Sequence, residues 1–225
     1  MGMSGRKLAG IGCGVLVVGA VMAAGALTWY STQLSREYKK VTKSEQALAA
    51  AVPALFAPPA DGVPDPARVA AFAAVRDTLA EWRLRMATED RRFAERRGGN
   101  WFLRAGDASE LAQVMAGYWL ARNEALQRAG MGAAEYEWLY GLVYYGWLGH
   151  DAADGRQLQD GASGGLPGAE SDRFERRRAL WRGGAAPGAA AVLEPLRGRL
   201  VAGWTEETNP SELIFVGEEG AQVRK

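Results

Sequence analysis

Few side chains in this chain could do chemistry. Its 225 residues hold one His and one Cys, too few for a zinc site, a Cys–His nucleophile pair or a haem of the usual kind. His150-Asp151, followed by Asp154-Gly155, is the one cluster with a metal-like flavour. An EF-hand loop needs oxygen ligands at alternate positions, Gly at the sixth and Glu at the twelfth, and that spacing fails here. A polar turn is expected instead. Carboxylates pair at Glu135/Glu137, Glu206/Glu207 and Glu218/Glu219. Glycoside cleavage needs two carboxyls flanking a bond, one of them with a raised pKa. Glu135, beside Tyr136 and Trp138, could face a sugar platform, yet a Glu near a helix start is also stabilised by the helix dipole with no catalytic role. The glycine-rich stretch Gly161–Gly168 lacks the Lys-Ser/Thr or dinucleotide spacing of a phosphate loop. No catalytic residue, cofactor or metal ligand is expected.

Charge excludes a further class. The chain has 27 Lys+Arg against 26 Asp+Glu, a formal net charge of +1, which gives no global field for nucleic acid. The runs Arg91-Arg92, Arg96-Arg97 and Arg176-Arg177-Arg178 are interleaved or flanked by Glu89, Asp90, Glu95, Asp172 and Glu175. They read as solvated helix faces, with anionic lipid headgroups as the alternative contact. Arginine outnumbers lysine by 22 to 5, and with abundant Ala and Gly this reads as GC-rich, bacterial coding. Cys13 is the sole thiol, so no disulfide can form within the remainder of the chain.

What must position these residues begins with a hydrophobic segment. Leu8–Tyr30 runs for 23 residues without a charge. As a helix it would span roughly 34 Å at 1.5 Å per residue, enough for a hydrocarbon core of about 30 Å. Arg6-Lys7 precede it, and Trp29-Tyr30 close it where aromatics favour headgroups. An uncleaved signal anchor is expected over 8–30, behind a basic head over 1–7. Ala24-Gly25-Ala26 supplies a rival cleavage site, after Ala26. Arg36, Lys39, Lys40 and Lys43 follow the span, and a naive positive-inside count would keep the C-terminal side in the cytoplasm. Long domains translocate largely regardless of charge, and a short basic head before an apolar run looks like a signal anchor, so an outside, periplasmic domain is preferred. Gly10 and Gly14 form a small-xxx-small pair, a candidate face for membrane-helix packing and self-association.

Beyond the membrane the periodicity is helical. Leu34, Tyr38, Val41, Leu48, Val52 and Leu55 step by three and four, interrupted only at Glu45, and predict a juxtamembrane helix over 31–56. Four prolines in APPADGVPDP (57–66) stop it. Asp65-Pro66 then opens a helix of about 30 residues. Its apolar face is Val69, Phe72, Val75, Leu79, Trp82, Met86 and Phe93, its polar face Arg76, Arg83, Arg91 and Glu95, and its end Gly98-Gly99. A third helix is expected from Asp107, with Glu110 completing a capping box and Gly130 ending it. The densest stretch follows, with six aromatics between Tyr136 and Trp147. Tyr136, Tyr140, Val143 and Trp147 share one face, Trp138, Leu142 and Tyr145 another. A helix apolar nearly all round is central to its domain, so this one is the expected hub of a helical core over 57–148. Residues 149–171, rich in Gly, Asp, Ser and Pro, read as a flexible loop. Over 172–225 short helices and a tail are expected, around Phe174–Arg182 and Ala189–Trp204, the latter bent or split by Pro195. Asn209-Pro210 with Glu212 begins another, carrying Leu213 to Val216.

The Glu135-Tyr136-x-Trp138-Leu139 segment, with the Asp61-Gly62 loop and the Arg68–Val75 helix before it, resembles a group of bacterial proteins with an N-terminal hydrophobic segment. In these an EYxW helix follows a Gly turn. The likeness spans residues 57–147 and implies an envelope-facing helical domain, with no activity, cofactor or partner attached to it.

The expected class is therefore all-α: one N-terminal transmembrane helix followed by a helical soluble domain. The expected function is that of a single-pass, membrane-anchored envelope protein acting as a protein-interaction or scaffold module, not an enzyme. The alternative is a glycan-binding or glycan-cleaving envelope protein using Glu135 and nearby aromatics. Expected partners are the lipid bilayer, another envelope protein and a second copy of the chain, with no nucleic acid. Trp and Tyr are favoured at interfaces, and Trp101, Phe102 and Tyr145 are the candidate partner contacts.

Overall fold

The computed structural model describes residues 32, 35–52, 56–95, 101–150 and 180–212, with side chains omitted at 101–105, 210 and 211. The anchor segment 8–30, with Gly10 and Gly14, lies outside the described residues, as do Gly98, Gly99 and most of the loop over 149–171. Among the described residues every regular element is helical and none is long and apolar enough to cross a membrane.

Helix α1 covers 35–51 and buries Val41 and Leu48 of the expected stripe, whereas Tyr38 is exposed and Leu34 and Leu55 lie outside the described residues. It gives way to the proline-rich connection at 56–65. Asp65 caps α2 (Pro66–Thr78), its side chain accepting the Ala67 N–H at 2.7 Å, with Pro66 in the first turn. The expected 30-residue helix is in fact two. Leu79 closes α2, and α3 runs over Ala80–Glu95. The break has an identifiable cause. The Arg76 carbonyl, which in an unbroken helix would serve residue 80, takes the Leu79 N–H at 3.2 Å and the Arg83 guanidinium. An arginine head is thus inserted into the ladder.

Helix α4 spans Trp101–Arg128, so it starts six residues before the expected capping box. Asp107 is no cap. It is buried within the helix and faces Arg92 of α3 at 3.5 Å. Gly130 does end this helix as expected, with the paired Gly130→Gln127 and Met131→Leu126 backbone bonds of a Schellman motif. α3 and α4 lie side by side, and Gly117 of α4 packs against the Trp82 ring of α3. A Cβ there would collide with the Trp82 ring, over which the Arg85 guanidinium lies 4.6 Å from the ring centre.

The aromatic segment is central, as expected, but its helix changes pitch. α5 (Ala133–Tyr140) continues into a π-helix over Gly141–Trp147, shown by the Leu148→Val143 bond at 2.9 Å. Wider winding brings residues four and five apart to the same side. Tyr145, assigned by regular helical spacing to a different face from Tyr140, therefore joins Tyr140 and Tyr144 inside. The chain returns at 180 through α6 (Pro187–Leu193), a 3₁₀ turn at Glu194–Leu196 and α7 (Arg197–Ala202). Pro195 splits this stretch, as expected. A 3₁₀ turn at Glu206–Thr208 and α8 (Asn209–Glu212) complete the described chain.

Gly117→Ala is expected to lower stability by about 1 kcal/mol or more through overpacking against Trp82, although alanine favours helix. Gly198→Ala, whose added methyl meets open space, should be neutral or stabilising. Urea unfolding of the two variants checks both signs.

Candidate functional site

Four helical segments bring their polar side chains to one sealed point. From α2 comes Arg76 and from α8 Glu212, both 0% exposed and paired directly. The Arg76 Nη1 also donates to the hydroxyls of Tyr118 (3.1 Å) and Tyr136 (2.7 Å), and its Nη2 to the Gly203 carbonyl. Tyr118 donates in turn to Glu212 Oε1 and Tyr136 to Oε2 at 2.9 Å. Arg122, one helical turn beyond Tyr118 on α4, donates to the Glu212 carbonyl at 2.7 Å. Aromatic rings enclose the pair. The Arg76 guanidinium lies 5.2 and 5.5 Å from the ring centres of Tyr140 and Tyr144, within cation–π range.

The electrostatics follow from this enclosure. Burial pushes the Glu212 carboxyl up, but Arg76, the Tyr118 hydrogen bond and Arg122 outweigh it and hold it below its ordinary value near 4.5. Burial above all raises the Tyr118, Tyr136 and Tyr140 phenols, which stay protonated and donate. Gly203 is required by close approach: a Cβ there would stand 2.5 Å from the Tyr144 hydroxyl.

The network reaches outward in three directions. Tyr140 and Tyr145 both donate to Asn209 Oδ1, at 3.1 and 2.6 Å, so two tyrosines fix the start of α8. Arg122 passes through Asn123 to Ser44 of α1, the last link 2.8 Å long. On the same stretch Glu45 is half-buried, with its carboxyl pushed up by burial against the pull of Arg122. Arg83, 4% exposed, holds the carbonyls of Arg76 and Ala202. Burial first, and the like charge of Arg76 second, lower its pKa.

The residues singled out by sequence fall elsewhere. Tyr145, expected at a partner contact, is 6% exposed and spent in the core. Trp101 and Phe102 open α4 rather than a connection between helices, and their side chains lie outside the description. Glu135 is gripped by Arg68, which donates to both its oxygens at 2.6 Å and also reaches the Gly130 carbonyl at 3.1 Å. That carboxylate ties α2 to the α4–α5 turn. His150 stacks on Trp204, 4.1 Å between ring centres and nearly parallel. Among the described residues no group of three or more His, Cys, Asp or Glu could hold a metal ion.

Arg76 and Arg83 were expected on the solvent face and are instead at the centre. Their spacing held the signal. Val69, Phe72, Arg76, Leu79, Arg83 and Met86 alternate steps of three and four, so both arginines sit on the apolar stripe itself. Glu212 carried no comparable sign, because its partner lies 136 residues away. Compared with models of known protein families, with curated proteins and with solved structures, the chain matches none.

The arrangement fixes helices to one another, with the Glu212 carboxylate held by Arg76, Tyr118 and Tyr136 and its main-chain carbonyl by Arg122. Glu212→Gln should therefore cost roughly 3–5 kcal/mol, the usual price of leaving a buried charge unpaired. Because the folded carboxyl is depressed, its contribution is present above the unfolded value near 4.5 and is lost as pH falls through the folded value. Urea titrations across the acid range should give the variant a shallower stability slope than the parent chain.

Proposed function

We propose that this is a single-pass, membrane-anchored helical protein, and that its domain outside the cytoplasm serves as an interaction or scaffold module of the bacterial envelope rather than as an enzyme. The observation that carries the reading is the uncharged 23-residue segment Leu8–Tyr30 behind Arg6-Lys7, which has the length and flanks of a signal anchor. A second observation supports the non-catalytic part. The buried acid Glu212, and Glu135, which could otherwise have served glycan chemistry, are each bound to an arginine, while Tyr118 and Tyr136 are hydrogen-bonded to Glu212 and Tyr140 and Tyr145 to Asn209. A tethered, internally committed domain is suited to holding another envelope protein at the bilayer. Self-association through Gly10 and Gly14 is a compatible mode of assembly.

Fractionation of cells expressing the full chain tests this. The protein should stay in the membrane pellet through an alkaline wash, and crosslinking should capture a discrete envelope partner. A version lacking residues 1–30 should be recovered in the soluble fraction and lose that partner. Recovery of the full chain in the soluble fraction would contradict the anchor, and with it the reading.

A further inference from the structure

Among the described residues the core buries one arginine that no carboxylate pairs with. Arg76, Arg83 and Arg122 are all buried, as is Glu212, and the half-buried Glu45 faces Arg122. Arg76 pairs with Glu212 through the side chain and Arg122 through the backbone carbonyl. Among the described residues no carboxylate pairs with Arg83, whose two hydrogen bonds go to carbonyl oxygens. A buried cation lacking a counter-ion is costly. This one lies beside an open groove.

The groove, of about 340 Å³, runs between α3 and the segment 202–207. Ala80, Arg83, Leu84, Ala87 and Arg91 form its α3 wall, and Ala202, Thr205 and Glu207 the other. Leu84, at 65% exposure, is among the most exposed large apolar side chains of the described domain. Glu207 stands 4.0 Å from Arg91, so the groove presents two guanidiniums against one carboxylate.

We propose that this groove docks an acidic segment of a partner protein, one carboxylate seating at Arg83, a second at Arg91, and an apolar side chain between them covering Leu84. The proposal rests on the reading of the domain as an interaction module and names the chemistry of its partner. Helical rise decides between a segment and a free anion. Arg83 and Arg91 are eight residues apart, about 12 Å along the axis, and their heads are held on separate backbone carbonyls, Arg83's on Arg76 and Ala202 and Arg91's on Ala87, so a single phosphate or carboxylate does not serve both. An extended chain covers that distance in about four residues at roughly 3.3 Å each. Two acidic residues four positions apart therefore match the two arginines, and the uncovered Leu84 gives such a segment an apolar contact that a small ion cannot use.

The probe is a fluorescein-labelled peptide, acetyl-Glu-Ser-Leu-Ser-Glu-amide, whose first, third and fifth side chains share one face when extended, titrated with the full chain in detergent and read by fluorescence polarisation. Because Arg83 also holds the α2–α3 break, the variants are placed at Arg91 and Leu84, whose side chains are more exposed. Arg91→Glu and Leu84→Ser should each weaken binding about tenfold, and added salt should weaken binding to the parent chain. The same peptide with both Glu replaced by Gln should bind about tenfold more weakly or not at all. Equal binding of the Glu and Gln peptides, or no response to either variant, would overturn the proposal. So would competition by millimolar inorganic phosphate alone, which would make the groove a small-anion site. A chain ending at residue 212 that bound tenfold tighter would show residues 213–225 to be the occupant, and would overturn it too. Failure here leaves membrane retention unaffected, so it is distinguishable from failure of the anchor.

Discussion

A single carboxylate with no solvent contact, Glu212, dictates how the helices of this domain meet. An ionised group can be buried only if charge and hydrogen bonds replace its water. Here α2 supplies Arg76, α4 supplies Tyr118 and Arg122, and α5 supplies Tyr136. These donors come from three separate helices, so the network forms only when all of these elements are in place. Glu212 stands at the last described helix, and the carboxylate therefore fixes the returning chain into a core laid down well before it in sequence.

Two irregularities follow from that requirement. At the break between α2 and α3 the Arg83 head is bonded to the Arg76 carbonyl, and the same head holds the Ala202 carbonyl of α7. The break thus links the helix pair to the returning chain beside Gly203. The π-helix after Tyr140 acts on the other flank. By bringing Tyr145 round to Tyr140, it sets both phenols on Asn209 and so holds the first residue of α8 just ahead of Glu212. Regular helices in either place would aim these groups elsewhere.

Much of the architecture was legible as pattern. The proline run, the Asp65-Pro66 start, the Gly130 stop, the Pro195 split and the central position of the aromatic helix depend on local chemistry, and local chemistry is visible in a single chain. The centre of the domain was less so. Arg76 and Arg83 occupy stripe positions, but arginine on a helix is ordinarily solvated, and composition outweighed spacing. Glu45 likewise looked like a gap in a stripe, whereas it is a half-buried acid facing Arg122. Tyr145 was assigned by a periodicity of 3.6, which a π-helix does not keep. The pairing of Arg76 with Glu212 joins residues far apart in sequence, and no local rule connects them. In this fold a charge falling in an apolar register is the sign of a buried partner.

A double-mutant cycle on Arg76 and Glu212 tests the claim that their pairing organises the domain. Arg76→Met and Glu212→Leu are made singly and together in the full chain, and stability is measured by urea unfolding. Each single change leaves a buried charge or its donors unanswered and should cost roughly 3–5 kcal/mol. The double change removes both charges and should cost less than the sum of the two by at least about 2 kcal/mol. Additivity within about 0.5 kcal/mol would mean that the two residues act independently, and would contradict the account.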